Sequence, residues 1–203
     1  MRVGCTVLMW LNIQTLKHFF LLQTILTELY KRTYASPVFQ TLSSEQDCIE
    51  YYRIIEVEGT IDIASLDTNV ISNLICIFLQ NVPEALLCTH LYNDWVEASM
   101  ISVEIEQLAK LLTLCQKLPK QNYVLLQYIL MILNNIRENH VLTPSILASN
   151  VGHHMLWPTQ ARANRPGGIL DHEEAQRIIR NHMRVCRVLE CLIKHSKSII
   201  NIW

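Results

Sequence analysis

Apolar residues recur at three- and four-residue spacing along most of the chain, the period of helices that bury one face. Leu21, Leu22, Ile25, Leu26, Leu29 and Tyr30 form one such face. Cys48, Tyr51, Tyr52 and Ile55 form a shorter one ending near Gly59. Val70, Ile71, Leu74, Ile75, Phe78 and Val82 predict a third helix with Asp67 as its N-cap. Pro83 breaks it and is placed to open the next, through Leu86, Leu87, Leu91 and Trp95. Leu108, Leu111, Leu112 and Cys115 face one way before "KLPKQN" interrupts. The strongest pattern then follows, through Tyr123, Leu126, Ile129, Leu130, Leu133 and Ile136. Thr143-Pro144 reads as a cap with a first-turn proline, opening a short helix through Leu147, Ala148 and Val151. Residues 159–170, within "PTQARANRPGGIL", read as an exposed loop. Asp171 and Glu174 resemble a capping box opening a last helix through Ile178, Ile179, Cys186, Leu189, Leu192 and Ile193. No internal repeat and no strand pattern emerges, so the expected fold is all-α.

Composition narrows this picture without redirecting it. The 203 residues are enough for one sizeable core, and half of them are apolar, too many for a disordered chain. A formal net charge of -1 gives no general attraction to nucleic acid, and no cofactor signature is present. The seven cysteines contain no C-x-x-C pair and most sit in apolar helical patterns, which argues against a metal and for reduced thiols in the cytoplasm. "VGCTVLMWL" near the N-terminus imitates a signal peptide, but no small-residue cleavage site follows it. Asn12, Gln14, Lys17 and His18 interrupt the apolar run, so no membrane span is expected.

Four stretches carry more than periodicity: "IDIASLDTNVISNLI" (Ile61 to Ile75), "FLQNVPEALL" (Phe78 to Leu87), "LPKQNYVLLQYILMIL" (Leu118 to Leu133) and "LTPSILASNVGHHMLWP" (Leu142 to Pro158). In order and spacing they resemble the Rho GTPase-activating (RhoGAP) domain, across roughly residues 20–200. The second is similar to that family's F-L-R-E-L-P-E-P-L-L and the third to its L-P-x-x-N before a long apolar helix. The fourth is similar to M-T-x-x-N-L-A-x-x-x-G-P-N-L-L-W-P. The resemblance implies a single helical bundle of about eight or nine helices over 21–203, with 1–20 as a lead-in segment. "LTELYKR" (Leu26 to Arg32) looks closest to the T-cell-activation members of the family.

The partner so implied is a GTP-bound Rho-family GTPase, whose hydrolysis such domains accelerate. An arginine supplied in trans stabilises charge on the transferring phosphoryl group and contributes about three to five orders of magnitude in rate. The family presents it in a loop reading roughly G-I-F-R after the first helix. Counting from "LTELYKR" and back from Cys48 both place "PVFQ" there, so Phe39 matches the phenylalanine and Gln40 stands at the arginine. The family's supporting lysine and second arginine fall on Cys76 and Gln80, and the asparagine of N-L-A falls on Ile146. Pro83, Leu118, Pro119, Asn122, Leu147, Ala148, Gly152 and Trp157 keep the family's packing and turn positions. The expectation is a domain that docks a GTPase and stimulates hydrolysis weakly or not at all. A working activator that uses another group, and a helical interaction module that binds no GTPase, are the alternatives. Arg32 is the one arginine between Lys31 and Arg53 and ends a helix, so a small shift in register restores no finger.

Several residues have plainer readings. Adjacent His153 and His154 are expected to point apart on a helix, which disfavours a metal site. Cys186 and Cys191 read as two core thiols rather than a redox pair. Lys110, Lys117 and Lys120 fit either a GTPase-facing patch or scattered solvated lysines, and Trp95 and Trp157 read as core or groove lining rather than ligand-stacking.

Overall fold

The computed structural model describes residues 21–33, 45–58, 61–140, 142–158 and 172–200. Among these, nine α-helices and two short 3-10 turns form the fold, with no strand. Helix α1 covers 21–32 and α2 Glu45–Glu58. They are followed by α3 (Thr68–Asn81), α4 (Tyr92–Met100), α5 (Glu104–Lys117) and α6 (Lys120–His140). The C-terminal part holds α7 (Pro144–Met155), α8 (His172–Lys194) and α9 (Ser196–Ile200). Asp67 caps α3 by accepting from the Asn69 amide at 2.8 Å. Thr143 caps α7 with Pro144 as the first helical residue, both as the sequence predicts. The expected lead-in, the 159–170 loop and the Asp171 cap lie outside the described residues.

Helix α6 carries a full inward stripe from Tyr123 through Leu126, Leu130 and Leu133 to Ile136. Helix α3 packs on α2 and α7, α7 packs along α8, and α8 packs on α4. The edge of α2 seats Tyr52 on Phe78 of α3, ring centroids 4.9 Å apart and interplanar angle 71°, an edge-to-face pair. Polar side chains close the ends of this packing. The buried Gln107 amide donates to the Ile101 carbonyl at 3.0 Å and to Ser99 at 3.3 Å, covering carbonyls that α4 leaves unpaired at its C-terminus. Tyr123 donates to the Ile199 carbonyl at 2.6 Å and so fixes α9 on α6.

Pro83 does not open a helix. After α3 ends at Asn81, residues 82–88 are irregular, Cys88 takes a positive φ of 61°, and helix resumes only through the 3-10 turn Thr89–Leu91. Distant partners hold this segment's backbone. The Leu87 amide donates to the Met155 carbonyl at 3.1 Å, and Asn122 Nδ2 donates to the Leu86 carbonyl at 2.9 Å. Trp95 Nε1 donates to the Leu87 carbonyl at 2.8 Å. With its polar groups satisfied that way, the segment buries Leu86 and Leu87 without being helical.

Helix α8 departs from expectation too. Val185, Leu189, Leu192 and Ile193 are buried as the pattern requires, but Ile178 and Ile179, nearer its N-terminus, are exposed. Cys191 is buried, whereas Cys186 is only half-buried with its Sγ 3.4 Å from His182 Nε2. The remaining described cysteines are buried and form no disulfide.

Gly152 sets the approach of α7 to α8. A Cβ there meets Val185 Cγ1 at 3.5 Å, Leu189 Cδ2 at 3.6 Å and the Cys186 Cα at 3.7 Å, ordinary contact for one methyl and no more. Gly152→Ala is therefore expected to fold and to gain up to about 1 kcal/mol from helix propensity. Gly152→Leu is expected to lose about 1–3 kcal/mol by overpacking. Urea denaturation of the two variants checks this, and equal midpoints show that the α7–α8 contact is looser than described.

Candidate functional site

The sequence points to the end of α1, residues 34–44, α3 and the start of α7. Phe39 and Gln40 lie in 34–44, outside the described residues. The base of that loop is described, and it is held from two sides. Arg32 Nε donates to Glu28 Oε1 at 3.0 Å, while Nη1 and Nη2 donate to the Leu66 and Ala64 carbonyls at 2.5 and 2.7 Å. Its guanidinium thus ties α1 to the 3-10 turn Ile63–Ser65, and Lys31 and Arg32 together lower the Glu28 carboxyl pKa. Arg32 is committed to this clamp and is not a loose cation at the loop's edge.

On the other side, Thr33 is fully buried. Its hydroxyl receives Asn135 Nδ2 at 3.3 Å, and its carbonyl lies 2.6 Å from His140 Nε2, both on the last two turns of α6. The chain therefore enters the loop from a fixed point and leaves it into α2, which is packed on α3. Sequence reasoning missed Thr33, Asn135 and His140. Thr33 lies more than a hundred residues from Asn135 and His140 along the chain and the three form no motif, so no periodic signal marks them.

Cys76 and Gln80 sit on consecutive turns of α3, four residues apart and so on one row of the helix. They differ in exposure. Cys76 is buried, 9% accessible, and burial with Cys48 alongside pushes its thiol up to about 12. Gln80 is exposed near the helix end. Ile146, in the first turn of α7, is 46% exposed, an aliphatic side chain in a helical turn that also presents Ser145. The described part of the face thus offers an amide and an aliphatic group, with no cation at Cys76, Gln80 or Ile146.

The packing positions hold this face in place. Leu147 and Ala148 are fully buried behind Ile146 and Gly152 lies against α8. Leu118 is buried after α5, and the Pro119 carbonyl accepts the Tyr123 amide at 3.0 Å at the start of α6. Pro83 lies in the exposed turn after α3, Asn122 bridges to Leu86 as described, and Trp157 is half-buried beyond α7. Trp95 is core. Of the three lysines considered, Lys117 pairs with Asp94 at 3.4 Å, an exposed bridge of small energetic weight.

His153 and His154 do not point apart. Their ring centroids are 3.6 Å apart, with His182 a further 5.6 Å from His153. His153 stays exposed while His154 is buried, 8% accessible, and burial and then the His153 charge lower its pKa to about 3. Among the described residues no group of three metal-ligating side chains is placed to hold an ion. No described helix is long and apolar enough to cross a membrane.

Comparison with known proteins bears on this face. The RhoGAP domain family model matches residues 19–160. Rho GTPase-activating protein 44 of Homo sapiens is 33% identical over 103 residues, 49% of this chain and 12% of that protein. Rho GTPase-activating protein 17 of Mus musculus is 27% identical over 133 residues, 64% of this chain and 14% of the relative. SH3 domain-binding protein 1 of Mus musculus is 25% identical over 136 residues, 66% of this chain and 19% of the relative. The chain thus spans less than a fifth of the length of these curated relatives. Among solved structures, the BH domain from GRAF, the GTPase regulator associated with focal adhesion kinase, superposes with a TM-score of 0.69 at 17% identity. That match covers 87% of this chain and 93% of that one. Human Rho GTPase activating protein 15 gives 0.71 at 16% identity, covering 89% and 82%.

Proposed function

Because the chain belongs to the RhoGAP domain family, we propose that it docks a GTP-bound Rho-family GTPase while stimulating GTP hydrolysis weakly or not at all. The observation that carries this reading is the chemistry of the α3 row, where a buried thiol, Cys76, and a neutral amide, Gln80, stand at the family's lysine and arginine. Gln40, at the position matching the arginine finger, extends the same substitution into the loop. A glutamine donates hydrogen bonds but carries no charge, so it leaves the phosphoryl oxygens without the permanent cation and rigid donor fork that arginine brings. The clamp at Arg32 and Thr33 supports retention of the docking shape, since the loop's base is fixed even though its working side chain differs. The finer kinship to T-cell-activation members rests on "LTELYKR" alone.

Docking is measured by binding the purified chain to immobilised Rho-family GTPases loaded with a non-hydrolysable GTP analogue or with GDP. The expected outcome is a preference for the GTP-like state of at least tenfold for one of them. Equal, negligible binding to both states overturns the docking claim. It favours a helical interaction module, a reading that the uncharged Cys76 and Gln80 on this face support, since lost charge lowers on-rate and specificity.

A further inference from the structure

Residues 175–187 of α8, AQRIIRNHMRVCR, contain four arginines and no carboxylate, in a chain whose net charge is only -1. Arg177, Arg180, Arg184 and Arg187 follow at spacings of three, four and three, which places them along one stripe of the helix. All four are exposed. Arg187 Nε reaches across to the Ser99 carbonyl of α4 at 3.0 Å, which sets that stripe along the α4 side of the helix. Arg180 makes only a long 3.4 Å contact to Gln176, one turn back on the same helix.

Beside this stripe the same half-helix leaves Ile178, Ile179 and Met183 49%, 58% and 65% exposed. Ile179 and Met183 are one turn apart and therefore adjacent on the surface, flanking Arg180 and Arg184. Exposing three large aliphatic side chains costs a domain solubility unless something covers them. The charged groups nearest Ile179 and Met183, Arg180 and Arg184, are cationic and favour an anionic partner, with the carboxylates Glu173, Glu174 and Glu190 lying beyond Arg177 and Arg187 at the ends of the stripe. A protein partner would have to bring a groove shaped to this helix face. A lipid headgroup layer needs no matching shape, accepts guanidinium groups at its phosphates and takes short aliphatic side chains at its acyl boundary.

We propose that the N-terminal half of α8 lies on an anionic membrane surface, with Arg180 and Arg184 on the headgroups and Ile179 and Met183 inserted beside them. The face is formed by α8 and is separate from the α3 row, so it stands whether or not a GTPase docks there. Each basic side chain near such a surface contributes about a fivefold change in partitioning, and salt weakens the effect.

Co-sedimentation of the full chain with vesicles tests this. The expected result is binding to phosphatidylcholine vesicles containing about 30 mol% phosphatidylserine, at least about tenfold tighter than to phosphatidylcholine alone and reduced when salt rises from about 0.1 to about 0.5 M. Arg180→Glu/Arg184→Glu is expected to weaken binding on the order of a hundredfold. Ile179→Ser/Met183→Ser is expected to weaken it several-fold while retaining the salt dependence. Arg53→Glu/Lys120→Glu, the same charge change elsewhere on the exposed surface, is expected to bind as the unaltered chain does. All these side chains are exposed, and helical circular dichroism and melting confirm that each variant is folded. Lack of binding to the anionic vesicles at 0.1 M salt overturns the proposal, as does equal binding to both vesicle types or wild-type binding by the α8 arginine variant. Binding to polyglutamate with no binding to vesicles also overturns it, and assigns the face to an acidic protein segment.

Discussion

Added in excess to GTP-loaded Rho-family GTPases, this chain is expected to leave the single-turnover rate of GTP hydrolysis nearly unchanged. The quantity at stake is large, since a trans-acting arginine contributes about three to five orders of magnitude. Gln40→Arg alone is expected to recover little of it. Working groups in such a site act as a unit, and the α3 row that the resemblance assigns to supporting the finger carries Cys76 and Gln80. Gln40→Arg/Gln80→Arg is expected to gain at least tenfold over the parent, and Gln40→Arg/Cys76→Lys/Gln80→Arg more. Hydrolysis stimulated a hundredfold or more by the unaltered chain sinks this reading.

The structure adds a cost to the triple repair. Cys76 is buried beside Cys48, in surroundings that raise its thiol pKa to about 12 because they disfavour charge. A lysine there must carry its ammonium out along its stem or lose the proton, and a buried charge without a partner costs several kcal/mol. The triple variant is therefore expected to melt below the double one. Measuring both keeps a failure to fold distinct from a failure to activate. A double variant that is fully folded, docks the GTPase and yet adds no rate argues that the loop in 34–44 does not present residue 40 to the nucleotide.

How far the sequence reached follows from how local each feature is. The caps Asp67 and Thr143 and the long stripe of α6 are set by neighbours within a turn or two, and periodicity found them. The stretch after Pro83 is decided elsewhere, by Asn122, Met155 and Trp95, so a local rule extended a helix where distant partners hold an irregular chain. Ile178 and Ile179 share the apolar pattern of α8, but burial depends on what lies opposite, which the pattern does not contain. At the candidate site, the reading of Gln40, Cys76 and Gln80 as substitutions rests on the register of the flanking motifs alone. The burial of Cys76 and the clamp on Thr33 were not, since both depend on which helices meet.

Acid is expected to unfold this chain earlier than its net charge suggests, with His154 as a main cause. At this buried position its pKa falls to about 3, from an ordinary value near 6.5, through burial first and the neighbouring His153 second. His182 and the half-buried Cys186 thiol complete the cluster on α8, and burial lowers the pKa of His153 as well. The folded chain thus keeps His154 neutral while the unfolded chain protonates it as pH drops below about 6.5. Stability is full above that value and is lost progressively as pH falls toward 3. At pH 5.5 the loss from this one residue is about 1.4 kcal/mol, and by pH 3 it is on the order of 4–5 kcal/mol. His154→Leu replaces the ring with an apolar side chain at a buried position and removes an Nδ1 that has no protein hydrogen-bond partner. The variant is expected to be at least as stable as the parent at pH 7.5, and to gain a further margin of about 1.4 kcal/mol at pH 5.5. Urea midpoints at the two pH values decide the matter. A gain of the same size at both shows that His154 is already charged, or already solvated, in the folded chain.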